Sequence, residues 1–315
     1  MIILDTLGPI LLLIALGAAL ARWKFLGEQF QADLNKLAFW IALPAMIFEN
    51  VANAGTPGSQ TWWLLLTTFG TTVTIFGATW LVAPLCGMSP QTLGSFVQAA
   101  YRGNLVYIGV PVLAYAFVVY PEAERSGHIA TALLAMAPTT AFYNVLAVIA
   151  LQSGRDNSAG IGTMRLVAIA LIRNPLIIAC VGGIIFAVFG IPLPRFVDRS
   201  LQALGSAAVP VSLLCIGGAL ASMSLLGNRK IITLASLIKV GISPLVAWAI
   251  GSALGLSSVE MQIAIVLAAT PTAAAAFIMA RQMRGDVPFT SGTIALSTIL
   301  SAVSLSVILW LTRPQ

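Results

Sequence analysis

From Ile2 to Leu311 the sequence runs in long apolar stretches separated by short polar ones, and that alternation leaves few folds open. A helix that crosses the hydrocarbon of a bilayer needs about 20 apolar residues, within a range of about 17–25. On that template ten spans are read: Ile2–Ala21, Leu34–Asn53, Thr61–Cys86, Gln91–Tyr120, His128–Gln152, Pro175–Pro192, Val197–Ser222, Ile231–Leu254, Val259–Arg281 and Phe289–Leu311. Only 8% of the 315 residues are charged and 59% are apolar, against about 25% charged in a soluble domain. The chain is therefore an integral membrane protein. Ile2–Ala21 lacks a basic start and carries Asp5, so it reads as a first span rather than a cleaved leader.

Two of the spans are interrupted. Tyr101–Leu113, YRGNLVYIGVPVL, places an arginine, two glycines, an asparagine and a proline inside span four. Thr270-Pro271-Thr272 interrupts span nine. Proline removes a backbone donor and clashes with the preceding turn, and glycine weakens a helix by about 1 kcal/mol. Backbone groups freed in hydrocarbon cost several kcal/mol each unless they line a protein cavity. Interrupted segments in corresponding positions of two halves point to a transporter's binding site.

The halves are separated by Gln152–Arg165, the longest plainly polar stretch. Residues 1–152 carry five spans, 153–165 form a cytoplasmic linker, and 166–315 carry five more. An odd number per half inverts the second relative to the first. Leu37–Phe48 in span two resembles Leu204–Gly217 in span seven, each with a central proline, Pro44 and Pro210. Span six opens Arg173-Asn174-Pro175, with Asn suited to cap and Pro to the first helical position. The preceding Ile161–Ile172 is expected along the cytoplasmic interface. One set of alternate loops holds ten basic residues and the other four, which places both termini on the non-cytoplasmic side. Lys239, inside span eight, is expected to snorkel to the cytoplasmic edge. The net charge of +6 thus belongs to loops at a membrane surface and not to a nucleic-acid partner.

Arg102 sits about eleven residues into span four, beside Gly103-Asn104. Its guanidinium is permanently charged and matches a carboxylate with two parallel bonds. Half-helix N-termini near Val112 and Ala273 would add positive dipole ends. The competing role for Arg102 is bonding to freed backbone carbonyls. Asn104, Gly109 and Pro111 shape the first break, and Thr270, Pro271 and Thr272 the second, the threonine hydroxyls either facing the cavity or bonding back to their own helix. Asn144 must find a polar partner in mid-span and is placed at or beside the cavity. Pro44 and Pro210 bend helices. Glu49 is a candidate carrier of a coupling proton, the alternative being a carboxylate solvated at the interface. His128 reads as a solvated residue at a helix start. Cys86, Cys180 and Cys215 lack ligand spacing and read as small buried hydrophobes, with no metal site.

IALPAMIF in span two, GNLVYIGVPVL in span four, the RNP start of span six, VPVSLLCIGGAL in span seven and ATPTAAAAFIMA in span nine, taken in that order, resemble the auxin efflux carrier family. That family includes plant PIN-type exporters and bacterial malonate-transporter-like proteins. The resemblance covers essentially the whole chain, without the long central loop of many plant members. It implies an all-α polytopic membrane protein of ten transmembrane helices in two inverted five-helix repeats, with helices four and nine crossing near their prolines beside the substrate. It further implies a scaffold of spans one, two, six and seven, a moving unit of spans three to five and eight to ten, and a homodimer through the scaffold.

The expected function is secondary active transport of a small organic anion, auxin-like or malonate-like, across the bacterial inner membrane, with efflux as the family's implied direction. There is no HExxH, GxSxG, CxxC or P-loop, and the aspartates sit at span ends or in loops, so no enzyme chemistry and no cofactor is expected. A proton or sodium gradient, or the membrane potential, would drive it. A sodium-coupled symporter of the bile-acid type, marked by strict sodium dependence, stays open beside this reading. So does a membrane sensor, which would bind ligand without moving it.

Overall fold

The computed structural model describes residues 2–25, 27–53, 59–152, 172–222 and 228–312. The linker 153–165 and the expected interfacial helix lie outside them, apart from Ile172. Fifteen α-helices follow in chain order: α1 (Ile2–Arg22), α2 (Glu28–Leu37), α3 (Leu43–Asn53), α4 (Ser59–Val82), α5 (Pro90–Tyr101), α6 (Val110–Ala116), α7 (Glu122–Gln152), α8 (Pro175–Phe189), α9 (Arg195–Ser206), α10 (Ala208–Ser222), α11 (Arg229–Leu237), α12 (Ser243–Ala253), α13 (Ser258–Ala269), α14 (Ala275–Gln282) and α15 (Val287–Leu311). No strand occurs among the described residues; one isolated antiparallel bridge joins Gly103 to Thr272. Among the described residues five helical stretches are long and apolar enough to cross a bilayer: Thr61–Cys86, Glu124–Gln152, Arg195–Ala221, Arg229–Ala253 and Val287–Leu311. Shorter apolar ones are Gly8–Arg22, Leu105–Val119, Pro175–Phe189 and Ser258–Ala269.

The helix starts follow the chemistry of orphan N–H groups. Asn174 accepts from Leu176 N at 2.9 Å with Pro175 at the first helical position, as its sequence predicts. Ser89, Asn228 and Asp286 cap α5, α11 and α15 in the same way. Three π-helical turns, Ala38–Ala42, Leu105–Gly109 and Ile238–Ile242, each end two residues before a proline: Pro44, Pro111 and Pro244. A proline ring crowds the carbonyl four residues earlier, and that carbonyl, on Trp40, Tyr107 or Val240, lies in the wide turn each time. Widening the turn relieves the clash. The Val240 carbonyl then accepts from Ser304 Oγ at 2.5 Å, so it is not left bare in the interior.

This moves one sequence expectation. The helix of span four does not break at Pro111. It stops at Tyr101, passes through Arg102–Asn104 and resumes at Leu105, so the second half begins near Leu105 rather than Val112. The widened turn absorbs Pro111, while Gly103 permits the non-helical link. A second correction concerns Cys86, which is exposed at the end of a 3₁₀ turn, whereas Cys180 and Cys215 are buried.

The chain forms two compact units. The first comprises residues 1–61, 106–138 and 171–222. Within it α1 packs along α10, and α3 along α8 and α9. Small residues let these helices touch backbone to backbone. A Cβ on Gly17 would strike the Leu214 carbonyl, and one on Gly217 would strike the Ile14 carbonyl and come to 2.8 Å from Ala18 N. Phe48 stacks edge-on against Phe186 at 5.1 Å. Gly217→Val is therefore expected to destabilise the protein by at least the roughly 1–3 kcal/mol of core overpacking, because the obstructing atoms are main chain. Thermal unfolding in detergent checks this, with Gly77→Ala, which meets nothing within 4 Å, as the control expected to match wild type.

The second unit comprises residues 62–105, 139–170 and 223–315. Here α12 packs on α13, α11 on α15, and α15 also contacts α5, α13 and α14. Gly94 brings α5 against the Ala150 carbonyl and Leu151 of α7, and a Cβ on Gly285 would come to 2.7 Å from Ser95 Oγ. Both helix interruptions of the sequence pattern, the Arg102–Asn104 link and the Thr270–Ala274 link, are in this unit.

Candidate functional site

The two links run antiparallel to one another. Asn104 N donates to Pro271 O at 2.7 Å and Ala273 N donates to Arg102 O at 2.9 Å, with Gly103 opposite Thr272. Each break thus satisfies part of the other's freed backbone, whose groups need protein partners away from water. The side chains complete the accounting. Thr270 Oγ1 donates back to Leu267 O at 2.7 Å, the carbonyl that Pro271 deprives of its helical donor. Thr272 Oγ1 crosses over to Ala99 O at 2.8 Å, and Thr272 N donates to Ser297 Oγ at 3.0 Å. Gln98 Nε2 donates to Ala276 O at 3.1 Å. Of the two threonines, one bonds within its own helix and one across the break.

Arg102 is 4% exposed. Its Nη2 donates to Asn144 Oδ1 at 2.5 Å, and its Nη1 lies 3.5 Å from Tyr143 O and 3.1 Å from Met279 Sδ. All of these partners are neutral. The ion pairs among the described residues are Lys36–Asp33 and Arg125–Glu122, both at exposed side chains. A buried guanidinium held only by neutral acceptors keeps an uncompensated charge, and its planar fork fits a carboxylate. Asn144 finds the polar partner its position requires, and that partner is Arg102.

Beside the crossover, and wholly inside the second unit, is a narrow cavity of about 20 Å³, room for a water or two. It is lined by hydroxyl-bearing Thr68, Thr71, Thr72, Thr139, Ser243, Tyr101 and Tyr143, with Lys239 among them. Tyr101 Oη donates to Tyr143 O at 3.1 Å and their rings meet at 5.5 Å. Lys239 does not snorkel. It is 1% exposed and its Nζ donates to the Ala268 carbonyl. The π-helical turn before Pro244 holds Lys239 among buried residues, and the Ala268 carbonyl supplies its acceptor.

Of the residues singled out from sequence, Arg102, Asn104, Asn144, Thr270, Pro271 and Thr272 fall in the second unit. Gly109, Pro111 and Glu49 fall in the first. Glu49 accepts from Asn50 Nδ2 at 2.9 Å and Asn53 Nδ2 at 3.3 Å, and Asn53 also donates to Asp198 at 2.9 Å. His128 is not simply solvated: it packs on Phe117 and Tyr120, with ring centroids 5.4 and 4.8 Å away. Sequence reasoning passed over Gln98, Tyr143 and Ser297. Gln98 had a signal, since it stands four residues before Arg102 on the same helix face. Its Oε1 is buried with no hydrogen-bond partner among the described residues. Ser297 had none, because its role depends on which turn of α15 lies under Thr272.

The comparisons with known proteins bear on the whole chain. A model of the family described as membrane transport protein matches residues 2–309. The chain is 30% identical over 304 residues to an "Uncharacterized transporter" of Methanothermobacter thermautotrophicus, covering 96% of this chain and 95% of that one. It is 26% identical over 319 residues to a "Putative malonate transporter" of Rhizobium meliloti, covering 97% and 94%. With the apolar helices and the interrupted pair already in view, these matches agree with the resemblance carried by the motifs. The chain is a membrane protein of the auxin efflux carrier family of membrane transport proteins.

Proposed function

We propose that this protein is a secondary transporter of small carboxylates, with its substrate site beside the crossed links of the second unit. The observation that carries the reading is Arg102: a buried guanidinium whose partners among the described residues are neutral, placed where two helices are interrupted. In this reading Arg102 binds the carboxylate, Asn144 holds the guanidinium in place, and Asn104, Thr270, Pro271 and Thr272 form the wall. Gly109 and Pro111 shape the half-helix that follows, and Glu49 is the candidate proton carrier. Malonate is the first substrate to try, since one relative bears that name.

The proposed architecture is ten spans in two inverted repeats, 1–152 and 166–315, joined by the linker 153–165, with both termini outside the cytoplasm of a bacterial inner membrane. Alternating access is proposed to come from an elevator-type movement, with efflux as its direction and a dimer formed through spans one, two, six and seven. The test is counterflow in proteoliposomes, using malonate and a panel of short mono- and dicarboxylates. Saturable exchange of at least one acid is expected. Folded protein that exchanges none of them sinks the anion reading.

A further inference from the structure

Lys239 has no role in the transport reading above, and its surroundings define one. Helix α13 ends at Ala269, and its last carbonyls lack helical donors and carry the negative end of the helix dipole. Thr270 covers the Leu267 carbonyl and the Lys239 ammonium covers that of Ala268. The opposite wall is α4. There Thr71 Oγ1 donates to Thr67 O and Thr72 Oγ1 to Thr68 O, each at 2.7 Å, and Thr68 Oγ1 donates to Leu65 O at 3.0 Å. With those hydrogens committed to backbone, Thr68 Oγ1 accepts from Thr139 Oγ1 at 3.1 Å, and the Thr71 and Thr72 oxygens keep lone pairs for whatever stands in the cavity. Carbonyl oxygens at a helix C-terminal end suit a hard monovalent cation. Among the described residues no carboxylate lines the cavity; its titratable groups besides Lys239 are Tyr101 and Tyr143.

We propose that Lys239 is a built-in cation: its ammonium, bonded to the carbonyl end of α13, stands in for a free monovalent cation in the cavity that the threonines of α4 also line. The wild-type protein then has no use for free sodium at this position, and shortening the side chain opens a site for sodium or ammonium. The inference rests on the geometry of the second unit and not on the substrate reading, so its test uses no substrate.

Thermal unfolding of detergent-purified protein is followed in choline, sodium and ammonium chloride at matched ionic strength. Wild type is expected to melt at one temperature in all three. Lys239→Ala is expected to melt lower in choline and to regain roughly 5 °C in sodium or ammonium, as for a ligand that binds only the folded state. Two results on folded protein overturn the proposal: wild type stabilised by sodium over choline, or Lys239→Ala insensitive to the salt. A Lys239→Ala protein that survives purification only in sodium or ammonium supports it. One that survives in none of the three overturns it, since the vacated oxygens then accept no cation.

Discussion

Replacing Arg102 by alanine is expected to reduce malonate counterflow roughly ten- to a hundredfold at subsaturating concentration. A hydrogen bond to a charged group is worth about 1.5–3 kcal/mol, and about 1.4 kcal/mol is tenfold. The residue carries a positive charge with no ion pair among the described residues, and its guanidinium is 4% exposed among Asn144, Tyr143 and Met279. Arg102→Lys keeps the charge but loses the two-pronged fork, so it is expected to fall between wild type and Arg102→Ala. The crossed links themselves are held by main-chain bonds that do not involve this side chain, at 2.7 and 2.9 Å. The alanine variant is therefore expected to fold, which thermal unfolding reports separately. Counterflow by Arg102→Ala equal to wild type removes the arginine from the substrate site.

The second large effect is on the fold. Gly103→Val is expected to destabilise the protein by about 2–6 kcal/mol, taking together overpacking and one buried acceptor left unpaired. A Cβ at Gly103 meets Thr270 Oγ1 first, then Leu105 Cδ2 at 3.2 Å and Leu267 O at 3.3 Å. Thr270 has little freedom to withdraw, because its hydroxyl covers the Leu267 carbonyl that Pro271 exposed. Moving it uncovers that carbonyl where no water replaces it. Gly127→Ala is the control: nothing lies within 4 Å of its Cβ position, and alanine favours a helix over glycine by about 1 kcal/mol. Thermal unfolding of the two variants beside wild type checks the pair, with Gly127→Ala expected to be equal or slightly higher. Equal melting of Gly103→Val and wild type refutes the packing account of the crossover.

Much of this was legible before any coordinates. Apolar runs of bilayer length gave the helices, and Asn174-Pro175 gave a helix start, because those signals are local and repeat over many residues. Pro271 and Gly103 marked interruptions for the same reason: each acts on its own backbone. The precise place of the first break was less legible. Gly103 and Pro111 both disrupt helices, and sequence alone does not show that a widened turn absorbs the proline while the glycine carries the link.

Lys239 shows where reading along the chain stops. A lysine in a hydrophobic span has a general solution, to extend toward the interface. Here it has a particular one, the Ala268 carbonyl 29 residues further along the chain. Gln98, Ser297 and Ser304 are alike in this respect, each bonding a backbone group on a distant segment. Composition and local pattern determined that the chain is a helical membrane protein and that two of its spans are interrupted, because hydrophobicity, proline and glycine act where they stand. Only the tertiary structure decided which interruption satisfies which, and which polar side chains are spent on backbone. Those bonds join residues far apart in sequence, and in a medium without water they form with whatever group the packing brings near.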